Sequence, residues 1–455
     1  MYFFPQRNNM ELELNITKEE FGYLESELKT KLAKARSAIK AKDNGLAKIT
    51  EKMTNFNARE SDLLRQIVLQ EEVRRSLHNK VIQLSGNIRV FVRVRPSIPS
   101  EEATAKTAKS PFSFPSVFDQ NTTASSITST STVNVGDDLT KRFIVATEPT
   151  KDRGGLSQRR KKLKFGFDNV FTPTNTQDDV WEATEPLVQS AVDGYNTCVF
   201  AYGQTGSGKT YTMLGTSANK GIVTQAVKKL FGAKHMLEGT SQGQTTVEIS
   251  VELLEVYNEQ IRDLVSTKEC DGSGAKKLNI SLNSNEALGN TVHVATSEEE
   301  VSDILAIAQK RRCVKATKSN EESSRSHLIF TMNFIVRSSS GERRSKLHIC
   351  DLAGSERLSK SQAVGSTLKE TQHINKSLST LSNVIEKLQQ KSSHVPFRES
   401  KLTYLLRNSL GGDSKTLAIV CCNPLTEHFQ ETTCSLRFAQ KLNKVELQAV
   451  GSISC

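Results

Sequence analysis

Aromatic residues are scarce in this sequence, at 6% with a single tryptophan, and none of the eight cysteines forms a CxxC pair. Cys198, Cys270, Cys313, Cys350, Cys421, Cys422, Cys434 and Cys455 are scattered, which argues for free thiols in a reducing compartment rather than a disulfide-stapled fold. No apolar run is long enough to span a bilayer; the stretches TCVFAY, from Thr197, and LAIVCC, from Leu417, have the length of buried strands. The first residues, MYFFPQRNN, lack the extended apolar stretch and cleavage site of a leader. These absences argue against a secreted or membrane-spanning protein. Positive charge, by contrast, is in surplus. Lys and Arg number 61 against 50 Asp and Glu, a net charge of +11, which suggests an acidic partner: nucleic acid, anionic lipid or a polyanionic protein surface. At 455 residues and 36% hydrophobic, the chain is long enough for a large core yet lean enough to require a polar stalk, tail or long loop.

No proline interrupts the stretch from Leu28 to Leu84. Alternating steps of four and three residues visit Leu28, Leu32, Ala35, Ile39, Lys42, Leu46, Ile49, Met53, Phe56, Glu60, Leu63, Ile67, Gln70, Arg74, Leu77, Val81 and Leu84. All but Lys42, Glu60, Gln70 and Arg74 are apolar, and a 3.5-residue period keeps one seam facing a partner helix. The spacing predicts a coiled coil; a single amphipathic helix packed on the following domain is the alternative. Gly45 and the polar seam positions weaken it. Ser85, Gly86 and Asn87 break the helix, and Ile88–Val94 alternates apolar and basic residues as a half-buried strand does. Between residues 97 and 164, a Ser/Thr-rich run and the basic cluster Arg159, Arg160, Lys161, Lys162 read as solvated loop. From Phe165 to about Leu447 strands and helices alternate, which predicts an α/β domain around a central sheet.

The strongest local pattern is GxxxxGK[ST], formed by Gly203, Gln204, Thr205, Gly206, Ser207, Gly208, Lys209 and Thr210 directly after the apolar strand Thr197–Tyr202. Small residues let backbone N–H groups curl around a phosphate, with Lys209 placed to neutralise β- and γ-phosphate charge and Thr210 to ligate Mg²⁺. A second apolar run ends in Asp351, where a carboxylate near magnesium belongs, followed by Gly354, which lets a backbone N–H approach a γ-phosphate, and by Glu356. Between the two lies NEESSRSH, from Asn320 to His327. Alone it reads as a polar loop; between a P-loop and DLAGSE its hydroxyls and arginine have metal, phosphate and the Glu356 carboxylate to contact.

GQTGSGKT, NEESSRSH and DLAGSE, in this order, resemble the P-loop, switch I and switch II of the kinesin motor domain. The likeness extends over about Asn87–Leu447. It includes IRVFVRVRP from Ile88, LEVYNE from Leu254, NKSLSTL from Asn375, HVPFRESKL from His394 and SLRFA from Ser435. The resemblance implies an α/β, kinesin-type P-loop NTPase fold, with a central sheet flanked by helices and preceded by an α-helical coiled coil. Together with the heptad reading it gives a tail over 1–27, a coiled-coil stalk or neck over 28–86, the motor over 87–447 and a short tail over 448–455. It assigns ATP contacts to Arg93, Arg95, Pro96, Tyr211 and Asn320 beside the P-loop. It assigns Ser324 to magnesium and γ-phosphate, Ser323 to the neighbourhood of the lytic water, and Arg325 and Glu356 to a salt bridge between the switches. It makes Asn375–Leu388 a long relay helix and puts Arg398 and Lys401 on a microtubule-binding face. Thr224 and Gln225 stand where many kinesins carry Pro-Arg, and Ala308 replaces a frequent glycine.

The implied function is a microtubule-stimulated ATPase using ATP and Mg²⁺, associated with microtubules in the cytoplasm, a spindle role being one option. A coiled coil before the motor matches the kinesin-14 class, which moves toward minus ends as homodimers or heterodimers. Only fifteen residues without heptads follow Gln440, so no lever is expected on that side. A non-motile crosslinker, a depolymerising kinesin and a P-loop GTPase are the alternatives. Lys209, Arg325 and Glu356 argue against the first, the rod before the motor against the second, and the lack of a suitably placed NKxD motif against the third. Nucleic acid is not an expected partner.

Overall fold

The computed structural model describes residues 4–84, 86, 88–98, 101, 110–115, 142–149, 161–240, 244–266, 278–282, 284–316, 325–339, 341–356 and 366–445. The chain divides into two compact units, Met1–Leu77 and His78–Cys455. Helix α1 (Phe4–Leu84) makes up the first and supplies the opening turns of the second. It is continuous through Leu28, so most of the stretch set apart as a tail is helical; MELELNITKEE, from Met10, is rich in strong helix formers. Gly22 and Gly45 are absorbed at a cost of about 1 kcal/mol each. Leu28, Leu32, Ile39, Leu46, Ile49, Met53, Phe56, Leu63 and Ile67 all stand exposed. In the second unit α1 changes character. His78 and Asn79 are half-buried and Ile82 is buried, whereas the seam residues Val81 and Leu84 remain exposed. The helix stops before Gly86, whose φ of +95° is a left-handed conformation that suits glycine.

In the second unit β1 (Ile88–Val94), β2 (Phe112–Ser113), β3 (Phe143–Thr147), β4 (Lys162–Gly166) and β5 (Asn169–Phe171) precede α2 (Gln177–Val192). Then follow β6 (Thr197–Tyr202), α3 (Lys209–Met213), α4 (Ile222–Thr240), β7 (Thr246–Tyr257), β8 (Gln260–Asp263), β9 (Asn279–Ile280), β10 (Ala287–Leu288) and β11 (His293–Ala295). The chain continues through α5 (Glu298–Ala316), β12 (His327–Ser338), β13 (Gly341–Asp351), α6 (Ser366–Gln389), α7 (Lys401–Leu405), α8 (Arg407–Gly411), β14 (Lys415–Cys422) and α9 (Phe429–Leu442). The main sheet has the order β11-β7-β12-β13-β6-β14-β1-β5, with β8 paired to β7. β13, β6, β14, β1 and β5 pair in parallel, and β12 joins β13 and β7 antiparallel. The sheet is therefore mixed.

β6 and β14 are wholly buried, as their continuous apolar runs predict. Alternate residues feed two cores. Cys198 and Phe200 pack with Leu381, Val384 and Ile385 of α6 and Leu436 of α9; Val199 and Ala201 pack with Val180 and Leu187 of α2 and Val223 and Leu230 of α4. Ala308, one of the departures from the kinesin pattern, is buried in α5.

One expectation changes. The 97–164 stretch, in which the Ser/Thr-rich run and the basic cluster read as solvated loop, contributes β2 and β3, which form a three-stranded antiparallel sheet with β4. Phe112, Ile144 and Ala146 are buried, and the Phe112 ring stacks on Phe429 of α9 at 5.9 Å. The FIVAT alternation of β3 is too short to stand out beside its polar surroundings. Lys162 opens β4; the Ser/Thr-rich run, Arg159 and Arg160 lie outside the described residues.

Candidate functional site

β6, β13, β14 and β1 run parallel and end at one edge of the sheet, where antiparallel β12 begins. The turn after β6, the 352–356 segment after β13 and the start of β12 are thereby brought together, at the strand ends where α/β sheets bind ligands. Gly203 follows β6 with φ +146°, and a Cβ there would collide with the Cys421 carbonyl oxygen and Ser207 Oγ. Lys209, only 7% exposed, donates to the carbonyls of Gly203 and Gln204 at 2.9 and 3.0 Å. Burial lowers its pKa, opposed by the charges of Asp351 and Glu356. Thr210 Oγ1 donates to Asp351 Oδ2 at 2.6 Å, and burial raises the Asp351 pKa against the pull of Lys209. Asp351 Oδ1, Gln204 Oε1 and Ser207 Oγ are buried and find no partner among the described residues. Such orphaned atoms carry a desolvation cost that a bound group can relieve. Ser207 Oγ fits a phosphate oxygen, and Asp351 Oδ1 fits a water on a hydrated cation. Among the described residues no group of three His, Cys, Asp or Glu forms a metal cage.

The 352–356 segment is laced onto the P-loop. Leu352 N–H donates to Ala201 O at 3.3 Å and Ser355 N–H to Gly203 O at 3.1 Å. Glu356 accepts from the Thr205 backbone N–H at 2.8 Å and from Thr205 Oγ1 at 2.6 Å. A Cβ on Gly354 would strike both the Glu356 carboxylate and Thr205 Oγ1. Arg325 is half-buried just before β12, while Asn320, Ser323 and Ser324 lie outside the described residues. His327 is buried and uncharged, its pKa lowered to about 3 by burial first and then by Lys209 and Arg312.

Arg93, expected beside the adenine, is only 6% exposed; it donates to Gln177 Oε1 and, at 3.0 Å, to Thr212 Oγ1. Its guanidinium carbon lies 5.5 Å from the ring centroid of Tyr211, a residue 40% exposed, and Gln177 Nε2 donates to the Tyr211 carbonyl at 2.7 Å. Arg93 and Gln177 thus brace an aromatic face that remains open to a ligand. Arg95 donates to Gly206 O at 2.7 Å and pairs with Glu101, and one of its guanidinium nitrogens also donates to the carbonyl of the exposed Pro96. Gln177, Thr212 and Glu101 escaped the sequence reading, because polar residues in ordinary helical or loop contexts carry no local mark. Arg398 is exposed on a 3-10 turn, Phe397–Glu399, with its guanidinium 5.6 Å from the Tyr404 ring. Lys401 opens α7, its backbone N–H donating to Glu259 Oε2 at 2.9 Å.

A family model described as "Kinesin motor domain" matches residues 93–445. The chain is 42% identical over 413 residues to Kinesin-like protein 2 of Schizosaccharomyces pombe, covering 88% of this chain and 46% of that protein. It is 40% identical over 442 residues to Kinesin-like protein KIN-14N of Oryza sativa subsp. japonica, covering 92% and 52%. The chain therefore spans about half the length of these curated relatives. Among solved structures it is similar to the C-terminal motor and motor homology domain of Kar3Vik1 fused to a synthetic heterodimeric coiled coil. The TM-score is 0.73 at 35% identity, over 90% of this chain and 99% of that one.

Proposed function

The chain belongs to the kinesin family, and from that premise we propose that it is a microtubule-stimulated ATPase motor, directed toward microtubule minus ends, that moves or slides microtubules. The observation that carries the reading is the bonding of Glu356 to Thr205, across 151 residues of sequence. The segment that would sense a γ-phosphate is bonded directly to the loop that would hold it. Phosphoryl transfer depends on positioning and charge stabilisation, so small shifts of these two loops control turnover.

In this reading the Tyr211 ring faces adenine, Lys209 meets the β- and γ-phosphates, and Gly354 leaves room for a backbone N–H at the γ-phosphate. Ser323 lies near the attacking water, and Arg325 pairs with Glu356, whose carboxylate has lone pairs to spare beside Thr205. Thr210, Ser324 and Asp351 would hold Mg²⁺, which supplies positive charge to the phosphates when bound. Arg398 and Lys401 contact the microtubule. The exposed stripe of α1 pairs with a second helix, of the same chain or another, and the protein works on the microtubule cytoskeleton. The position of α1 ahead of β1 and the resemblance to kinesin-14 relatives support the minus-end direction.

Steady-state ATPase titrated with microtubules tests this. Turnover is expected to be slow alone and strongly accelerated by the polymer at low salt. Equal rates with and without microtubules would sink the reading.

A further inference from the structure

His327 touches two segments that sequence keeps apart. Its Nδ1 accepts the backbone N–H of Ala353 at 3.0 Å, so that nitrogen carries no proton. The proton therefore sits on Nε2, which donates to Ser377 Oγ of α6 at 2.8 Å. The ring is 2% exposed. Neither neighbour can part from it without leaving a buried polar group unpaired. The preceding residue is pinned as well, since Arg312 of α5 donates to Ser326 Oγ at 3.1 Å with its Nε 3.5 Å from Glu255. The ring is thus fixed at the root of β12, between the 352–356 segment and α6.

We infer that His327 is a positioning residue that transmits displacement of the 352–356 segment to α6 through its two hydrogen bonds. Ala353 lies next to Gly354, so movement of the segment toward or away from a γ-phosphate shifts the Ala353 N–H. A rigid neutral imidazole of one tautomer passes that shift to Ser377. An imidazolium would have no lone pair for Ala353; burial keeps the ring neutral, with a pKa of about 3. α6 packs against α7 and against the turn that carries Arg398, so its position bears on the face proposed to meet the microtubule. The inference rests on the nucleotide-binding part of the proposed function.

Three substitutions in the full chain separate the bonds. Ser377→Ala removes the acceptor on α6. His327→Asn keeps an oxygen for Ala353 but does not reach Ser377, and His327→Gln keeps a donor for Ser377 but leaves the Ala353 N–H unpaired. Hydrogen–deuterium exchange of α6 is compared with Mg-ADP and with a non-hydrolysable Mg-ATP analogue, alongside ATPase with and without microtubules. In the unsubstituted chain, exchange in both 352–356 and α6 is expected to depend on the nucleotide. Ser377→Ala should keep the response in 352–356, and basal turnover within about twofold, while losing the α6 response and about fivefold or more of the microtubule stimulation. His327→Asn should behave alike, and the double variant no worse, because both break one path. A normal α6 response in Ser377→Ala, or none in the unsubstituted chain, would overturn the inference. An intact α6 response without microtubule stimulation would instead overturn the proposed function and leave this coupling standing.

Discussion

At the scale of single residues, the proposed function divides the site into groups that hold a nucleotide and groups that respond to it. Lys209 is a buried cation whose partners are the loop carbonyls of Gly203 and Gln204, with the charges of Asp351 and Glu356 near. Lys209→Ala removes a charged hydrogen-bonding partner worth about 1.5–3 kcal/mol, so nucleotide affinity is expected to fall roughly ten- to hundredfold. In the proposed function Glu356 and Arg325 belong to the responding group. Glu356→Ala and Arg325→Ala should leave fluorescent-nucleotide binding near normal while microtubule-stimulated turnover drops by roughly 10²–10³-fold. Binding titrations beside ATPase rates separate the cases, and near-normal turnover in either switch variant would refute their assignment. Lys209 and Glu356, which the structure brings to one loop, were legible in sequence as candidates because their motifs are contiguous. Gln177 and Thr212, the supports of Arg93, were not, because the 84 and 119 residues separating them from it are bridged only when β1, α2 and α3 assemble.

Among the elements, α1 poses the plainest physical problem. An 81-residue helix displaying Leu28, Leu32, Ile39, Leu46, Ile49, Leu63 and Ile67 to solvent finds no tertiary packing among the described residues to stabilise it over most of its length. Burying each such side chain contributes about 1.5–3 kcal/mol, and the 3.5-residue spacing aligns them for a second helix. The heptads continue to Val81 and Leu84, which remain exposed while Ile82 is buried in the motor unit, so pairing and motor contact use different faces. Leu63→Asp with Ile67→Asp is expected to turn a dimer into a monomer in sedimentation velocity and to lower helicity in circular dichroism. Nucleotide binding should be unchanged. An unsubstituted chain that sediments as a monomer at micromolar concentration would remove the basis for the coiled coil.

For the whole molecule, the proposed motor activity has a direction. α1 leads into β1 through Gly86, whose φ of +95° is a conformation other residues adopt only under strain. In the proposed function α1 is the amplifier, since an 81-residue helix at ~1.5 Å per residue is roughly 120 Å long. The expected outcome is that surface-bound dimers glide polarity-marked microtubules with plus ends leading; gliding with minus ends leading would contradict the direction. The net charge of +11 adds an ionic component to binding an acidic filament, so gliding attachment should weaken as salt is raised.

The sequence by itself determined what is encoded in neighbouring residues. It carried the phosphate loop, the strand ending in Asp351, the switch motifs, the buried strands β6 and β14, and the heptad seam, each the expression of a local period or of backbone space. Only the tertiary structure decided what those pieces touch. It seated Glu356 on Thr205, buried Arg93 beneath Tyr211, folded Phe143–Thr147 into a sheet within an apparent loop, and set His327 between Ala353 and Ser377. Such partners are chosen by strand order and register, and a parallel sheet joins segments that no local pattern relates. A short strand beside a polar run, or a histidine among serines, acquires its meaning only when burial removes water and obliges each polar atom to find a partner.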